Sequence, residues 1–554
     1  MPSPRPRTEL PTHRVENQPL PLGEVDLYSS DPALREALGR EGAAWAEERV
    51  RSLGELLGSE RVGELGEIAN RHVPELRSFD AYGRRIDEVR YDRSYHDLMA
   101  IGVEHGVPSI AWEEDRPGAH VAHVAMTYLF SQVESGVVCP LTMNYAVVAT
   151  LRQEPELAAA WEPGILSRRY DPRPLPAAEK AGLMAGMAMT EKQGGSDLRA
   201  NTTRAEPAGS SGSGEFLLTG HKWFCSAPMS DLFLTLARTE RGLSCFLVPR
   251  WLPDGARNGI SIQRLKDKLG NRSNASSEIE YERAHAWLLG EEGRGVRTIL
   301  AMVHHTRNDT VAAPAAYMRQ ALRHALHHVR QRMAFGRRLV EQPLMRRVLA
   351  DLAVEVEAAV AVSLRIARSF DEAPRDPEGR AFCRIATAVA KYWANKRVAG
   401  CVAEALECLG GSGYVEESIL PRLYREAPLN GIWEGSGNVI CLDVLRALGR
   451  EPGTREAFLG ELERARGADG DLDRAIDSLA EDLALEVDRE PHARELTERM
   501  AVALQGSLLV RHGPPAVAEA FLRTRVGRRG GFCYGTLPDG VDLDAILERA
   551  FPEG

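Results

Sequence analysis

Apolar positions in the first part of the chain recur at helical spacing, with long Ala/Leu/Val/Glu-rich stretches at 33–57 and 121–148 and breaks at Pro108 and Pro140. The pattern changes near residue 184. From there to 290 it alternates over short runs: Glu215–Leu218, Asp231–Ala237, Leu243–Val248, Gly259–Ile262 and Ser277–Tyr281. Each is flanked by Gly, Pro, Asn or Asp, the signature of antiparallel strands. Ala208–Gly214 (AGSSGSG) reads as a flexible surface loop between two of them. The helical period returns from Val296 to Leu448 in four segments, 296–333, 342–370, 378–409 and 436–448, and Gly410-Gly411 ends the third. Gly449–Gly453, with a Pro and two glycines, makes a boundary. The expected order is an N-terminal helical domain (1–183), a β domain (184–290), a helical bundle (291–449) and a C-terminal helical extension (450–554). The fold class is α+β, mainly α.

A length of 554 residues agrees with several domains, and 44% hydrophobic content with a large buried core. Lys and Arg total 69 against 79 Asp and Glu, a formal charge of -10, so the chain as a whole is a poor general binder of nucleic acid. The N-terminus is polar and Pro-rich with no apolar leader, and no stretch reaches the roughly 18 apolar residues of a membrane span; a cytoplasmic setting is expected. The eight cysteines contain no CxxC pair, which argues against a disulfide framework or a zinc site. Cys401 and Cys408 share a helical face and read as small buried hydrophobes. His324, His327 and His328 lie in one helix without a third ligand, so they read as exposed histidines, and no metal is expected.

Chemistry-bearing residues gather in six short motifs. Met189–Asp197 (MTEKQGGSD) joins a helical region to the β domain; its paired glycines admit a close cofactor, and Thr190 and Ser196 offer hydroxyls. In Gly220–Ser226 (GHKWFCS), Phe224 and Ser226 can share a strand face, an aromatic wall and a donor suited to a flat ring. Next come Asp267–Ser276 (DKLGNRSNAS), Arg332–Gly336 (RMAFG) with Gln342, and Leu409–Tyr414 (LGGSGY). The last, Ile432–Asn438 (IWEGSGN), sets Glu434 on a Gly-rich turn, with Ser436 or Asn438 able to cap the following helix. A helix N-terminus there favours an anion such as a pyrophosphate, and a carboxylate beside an electron-accepting ring can serve as a base.

In this order and on these elements, the six motifs resemble those of the acyl-CoA dehydrogenase superfamily, over about residues 60–448. MTEKQGGSD is similar to TEPGAGSD, GHKWFCS to GQKMWIT, DKLGNRSNAS to DKLGIRASST, RMAFG to RxQFG, LGGSGY to GGNGY and WEGSGN to YEGTNE. MTEKQGGSD, LKDKLGNRSNAS, EESILPRLYREAPLN, WEGSGNVICLDVLR and the extension after 450 resemble the adaptive-response, AidB-type subgroup, which is associated with the DNA alkylation response and with DNA binding.

The resemblance implies a middle antiparallel β-barrel, a C-terminal four-helix bundle, FAD as cofactor and an acyl-CoA thioester as substrate. It implies Glu434 as the base that removes the α-proton while a hydride leaves the β-carbon. Some relatives carry the base just before the position of Arg307; Thr306 stands there and cannot serve. Arg307 is assigned to the substrate. Met189, Thr190, Gly195, Ser196, Phe224, Cys225, Ser226, Trp433, Ser436 and Asn438 match positions around the flavin. Arg332, Phe335, Gln342, Gly410 and Gly411 match positions that reach FAD held by a neighbouring subunit, which implies a homotetramer, a dimer of dimers. Lys192 and Gln193 stand where the family has Pro-Gly, and Phe224 where Trp is common, changes that bear on the shape of the acyl-CoA pocket.

The extension holds 13 Arg and no Lys against 20 Asp and Glu over residues 454–554. Its one basic cluster is Arg523, Arg525, Arg528 and Arg529, set among glycines, and it is the candidate for contact with DNA phosphates. The functional readings are an AidB-type flavoprotein with a DNA role, an ordinary metabolic acyl-CoA dehydrogenase carrying an extension, and a flavin-stabilised binding protein with vestigial redox chemistry.

Overall fold

A computed structural model of the chain describes residues 6–209, 214–485 and 487–552. Most of the AGSSGSG loop and the first five residues lie outside them.

Seven strands form the middle of the molecule: β1 (Ala185–Ala188), β2 (Arg204–Pro207), β3 (Glu215–Ser226), β4 (Leu232–Thr239), β5 (Gly242–Pro249), β6 (Ile260–Leu265) and β7 (Ser276–Leu289). The sheet runs β1-β4-β2-β3-β7-β5, with β6 on β7, and a further pairing of β4 with β5 closes it into a barrel. The long pairings are antiparallel, as the alternation predicts; β1 and β2 each run parallel to β4. Both parallel strands are only four residues long, too short to show a period. The N-terminal region is helical apart from a hairpin, Glu75–Phe79 with Arg85–Arg90, whose Leu76 and Val89 pack on one barrel core.

Two N-terminal helices, α1 (Ala119–Ser131) and α2 (Ser135–Leu151), are buried almost all round. They pack on the bundle helix α3 (Gly295–Gln331). α4 (Pro343–Glu372), α5 (Pro377–Glu407) and α6 (Gly437–Arg450) complete the bundle. Start signals are local: Pro occupies N1 of α4 and α5, and the Asp376 carboxylate accepts from the N–H groups of Glu378 (3.2 Å) and Gly379 (2.9 Å). The extension adds α7 (Gly470–Ala484) and α8 (Ala493–His512), the latter seated on α4, α5 and α6. A buried carboxylate, Glu461, ties it down by accepting from Arg365 (3.0 Å) and Arg511 (2.8 Å). No helix of the described residues is long and apolar enough to cross a membrane.

Cys401 and Cys408 are buried core residues. The helical histidines are not exposed: His328 is buried, and His324 and His327 are half-buried under the N-terminal segment, where His327 bonds the Leu20 carbonyl (2.7 Å).

Candidate active site

Glu434 sits on the turn between a 3-10 turn ending at Gly431 and the start of α6. Its backbone is left-handed (φ 57°), a conformation that costs a residue with a Cβ about 1–2 kcal/mol, and two cations hold it there. Arg307 Nε donates to the Glu434 carbonyl (3.0 Å), while Nη1 donates to Asp443 on α6 (2.8 Å). Buried Lys391 of α5 donates to the carbonyls of Asn430 (2.9 Å), Trp433 (3.0 Å) and Gly435 (2.8 Å). Gly435 follows at φ 104°, where a Cβ would meet Ile440 Cδ1 at 2.8 Å, so the turn needs glycine there.

The carboxylate carried by this turn is incompletely satisfied. Glu434 Oε2 is sealed from solvent and has no hydrogen-bond partner. Burial raises the pKa, and the Thr306 hydroxyl and the Arg307 and Lys391 charges offset this only in part. Burial likewise lowers Lys391 to about 7.

The first three motifs converge on the same place. Lys222 of β3 and Glu191 form an ion pair (2.8 Å) with both side chains fully buried. Glu191 also accepts from Thr202 N (2.6 Å) and Thr203 Oγ1 (2.6 Å), and Trp223 N donates to the Thr190 carbonyl (2.7 Å). MTEKQGGSD and GHKWFCS are thereby bound together. Ser226 Oγ lies 3.1 Å from Ser276 Oγ, and Lys268 Nζ donates to Ser276 Oγ (3.1 Å) and to the Asn274 carbonyl (2.6 Å), which brings in DKLGNRSNAS. The Cys139 thiol of α2 marks the meeting point: burial pushes it up to about 12, while it feels the charges of Lys268 and Glu434 and a hydrogen bond from Ser226. Met189 and Trp433 pack on the same apolar cluster as Cys139.

These residues fit a flavin. Phe224 is left 48% exposed beside Ser226. Gly195 lies close enough to Thr190 that a Cβ would meet its Cγ2 at 3.0 Å, and Gly195 and Ser196 are exposed. Ser436 is the N-cap of α6, but its side chain makes no capping bond, so the first N–H groups of that helix, Asn438 among them, remain free for a phosphate.

Other expected positions stand elsewhere. The Cys225 side chain points into the barrel core, fully buried, and its carbonyl accepts from Ser277 Oγ (3.0 Å). Arg332, Phe335, Gln342, Gly410 and Gly411 lie on the outside of the bundle. Phe335 is 97% exposed, and Cβ atoms at the two glycines would meet nothing within 4 Å. Gln342 Nε2 donates to the Ala334 carbonyl (3.1 Å), and Arg332 reaches the Asn17 carbonyl. Arg307 is spent on the Glu434 turn and Asp443. Of the arginine cluster, Arg525 is turned inward against Asp351 (2.5 Å) and Glu355 (3.2 Å), Arg523 pairs with Glu519 (3.1 Å), and Arg529 lies 3.5 Å from Asp471. The expected four-arginine surface is therefore not formed: buried acids on α4 take Arg525. Lys391, Thr306 and Cys139 join the site without belonging to any motif, and Asp443 lies past the end of IWEGSGN, within the longer stretch WEGSGNVICLDVLR.

Residues 17–172 match the family described as Adaptive response protein AidB N-terminal domain. Residues 186–284 and 293–449 match the middle and C-terminal domains of acyl-CoA dehydrogenase. AidB of Escherichia coli (strain K12), whose name gives its dehydrogenase activity only provisionally, is 47% identical over 538 residues, covering 97% of this chain and 98% of that protein. The chain belongs to the acyl-CoA dehydrogenase superfamily. Acyl-CoA dehydrogenases are FAD-dependent flavoproteins, so FAD is the cofactor these residues fit. A second acyl-CoA dehydrogenase relative, family member 11 of Caenorhabditis elegans, is 33% identical over 464 residues, covering 79% of this chain and 73% of that protein. The Caenorhabditis elegans protein ACDH-11, solved in complex with C11-CoA, superposes with a TM-score of 0.83 at 28% identity, covering 99% of this chain and 93% of that one.

Proposed function

We propose that the protein is an AidB-type, FAD-dependent dehydrogenase of acyl-CoA thioesters, with Glu434 as the base. The observation that carries this is the unpartnered Glu434 Oε2, held by a cation-braced turn close to Cys139, on which Ser226 and Lys268 also act. Bound FAD supplies the acceptor for the hydride equivalent from the β-carbon. Glu434 takes the α-proton, and its raised pKa makes it a stronger base than an exposed glutamate. Arg307 and Lys391 position the carboxylate through the backbone that carries it. Trp433, Met189 and Cys139 keep water from the ring side. Anaerobic titration of the holoprotein with a panel of acyl-CoAs spanning short to medium chains tests this: flavin absorbance near 450 nm (roughly the oxidised-flavin band, carried by the cofactor itself) should bleach with at least one. Full colour with every thioester would favour a flavin-stabilised binding protein.

The set at Arg332, Phe335, Gln342, Gly410 and Gly411, exposed at Phe335 and the two glycines, suits completion of a neighbour's FAD site in a dimer of dimers. Eight unpaired thiols suit a cytoplasmic setting. A role in the alkylation response by contact with duplex DNA would fall to Arg528 and Arg529, the two exposed arginines of the cluster, with Arg529 giving up Asp471 for a phosphate. Two phosphate contacts per chain predict that log K falls with log salt at a slope of about −2 per chain, and that removing both arginines abolishes the salt-dependent part. Fluorescence anisotropy with a labelled duplex measures both, and binding unchanged in the double variant would place any DNA surface elsewhere.

A further inference from the structure

Arg332 of RMAFG is the C-cap of α3, and its guanidinium is held by a residue from the start of the chain. Nη1 donates to the carbonyl of Asn17, in the N-terminal segment that lies against the outside of the bundle. The same asparagine clamps the next residue. Met333 N donates to Asn17 Oδ1 (2.7 Å), and Asn17 Nδ2 donates to the Met333 carbonyl (2.8 Å). One end of the amide faces a donor and the other an acceptor, so its orientation is fixed. Leu20 is gripped in the same manner: its N–H donates to Gln331 Oε1 (2.9 Å), and its carbonyl accepts from His327 Nε2 (2.7 Å).

Burial does little to hold this segment. Residues 6–18 are exposed throughout, and Leu10, Val15 and Leu20 leave their side chains in solvent. The polar clamps at Asn17 and Leu20 therefore fix its place. Asn17 is left-handed (φ 55°), a region that asparagine enters more readily than most residues with a Cβ. That turn lets one residue give its carbonyl to Arg332 and its side chain to Met333.

What the clamp secures is a short hairpin. Met333 and Ala334 pair with Arg338 and Arg337, around a two-residue tip. Both tip residues, Phe335 (φ 53°) and Gly336 (φ 81°), are left-handed, as tight hairpins require. Phenylalanine is a poor choice there, and its ring is almost wholly exposed, so packing within the chain does not offset the strain. Strain of this kind persists where the conformation is used. Gln342 pins the other flank: Nε2 donates to the Ala334 carbonyl (3.1 Å), and Oε1 accepts from Arg337 Nε (3.0 Å). The Arg332 guanidinium, spent on a neutral carbonyl, has no carboxylate partner among the described residues.

We propose that Asn17 is a positioning residue for the cofactor: it holds the Arg332 guanidinium and the Phe335 hairpin in the pose that completes the FAD site of a neighbouring subunit. This rests on the reading, given above, that the Arg332 set reaches a neighbour's FAD. An arginine already held in place loses less freedom when it meets a diphosphate, so the pre-set pose strengthens FAD binding.

The test is a double-mutant cycle on the FAD dissociation constant of the full-length protein, read from the flavin released as the holoprotein is diluted. Arg332→Gln and Asn17→Ala should each weaken binding by about tenfold, and the double variant should be within about twofold of Arg332→Gln alone. A merely structural Asn17 would not give that non-additivity. Losses that multiply in the double variant overturn the proposal. Unchanged affinity in Asn17→Ala, with a loss in Arg332→Gln, overturns it and leaves the neighbour's site standing. Unchanged affinity in Arg332→Gln overturns both. Should Asn17→Ala fail to fold, Asn17→Gly, which suits the left-handed backbone and removes the side-chain clamp, decides by the same comparison.

Discussion

Glu434→Gln is expected to give a protein that stays yellow but bleaches with an acyl-CoA about 10²–10⁴ times more slowly than the wild type, the range for losing a general base. The carboxamide keeps the shape of the side chain and leaves Phe224, Ser226 and the α6 N-terminus untouched, so flavin content should not change. The cations that brace the turn act on backbone carbonyls, so the turn itself should persist. The same base gives the pH profile its sign. Its folded pKa lies above the usual 4.5, so the rate of bleaching should rise with pH through that raised value and level off above it. In the Gln variant this limb should vanish. Stopped-flow bleaching across pH measures both effects. A Gln variant within a few-fold of wild type, with the limb intact, would move the base to another residue.

The second large effect is expected at Glu191. Glu191→Gln leaves the Lys222 ammonium buried without its counter-charge, which costs about 3–5 kcal/mol when one partner of a buried pair is removed. The loss should fall on the barrel and on flavin retention together, because Glu191 ties the Thr190 loop to β3. Burial already lowers Lys222 to about 8, so part of the cost is relieved by losing its proton above that pH. Glu191 itself is held at about 2 by Lys222 and the Thr202 and Thr203 donors. A carboxylate with a lowered folded pKa contributes stability that is present above the unfolded value of 4.5 and is lost as pH falls toward 2. The wild type should therefore shed FAD and unfold along that acid limb, and the Gln variant should lack this contribution. Chemical denaturation at several pH values, followed by flavin fluorescence, checks it; a variant as stable as wild type near neutral pH would remove the pair from any structural role.

Elements with a long period were legible because each residue reports its own face. Bundle segments expected at 342–370 and 378–409 appear as Pro343–Glu372 and Pro377–Glu407. Four-residue strands at 185–188 and 204–207 carry no period, and the hairpin at 75–90 lies within a region whose remainder is helical. At the site, residues adjacent in sequence to a glycine turn were visible, since turn chemistry is local. Lys391 and Asp443 were not: each sits on an ordinary amphipathic helix, and its role appears only when that helix meets the Glu434 turn. Arg525 shows the converse. Its glycine-rich context suggests an exposed cation, yet Asp351 and Glu355, some 170 positions earlier in sequence, face it across the bundle. The Cys225 side chain lies on the other side of the strand from Phe224 and Ser226, because successive strand residues alternate in direction.

The left-handed backbone at 434 also bears on how this chain can drift. Glycine at that position would relieve local strain and leave every carbonyl bonded by Arg307 and Lys391 in place. Selection for thermal robustness alone would therefore push toward discarding the carboxylate, and its persistence requires selection of another kind.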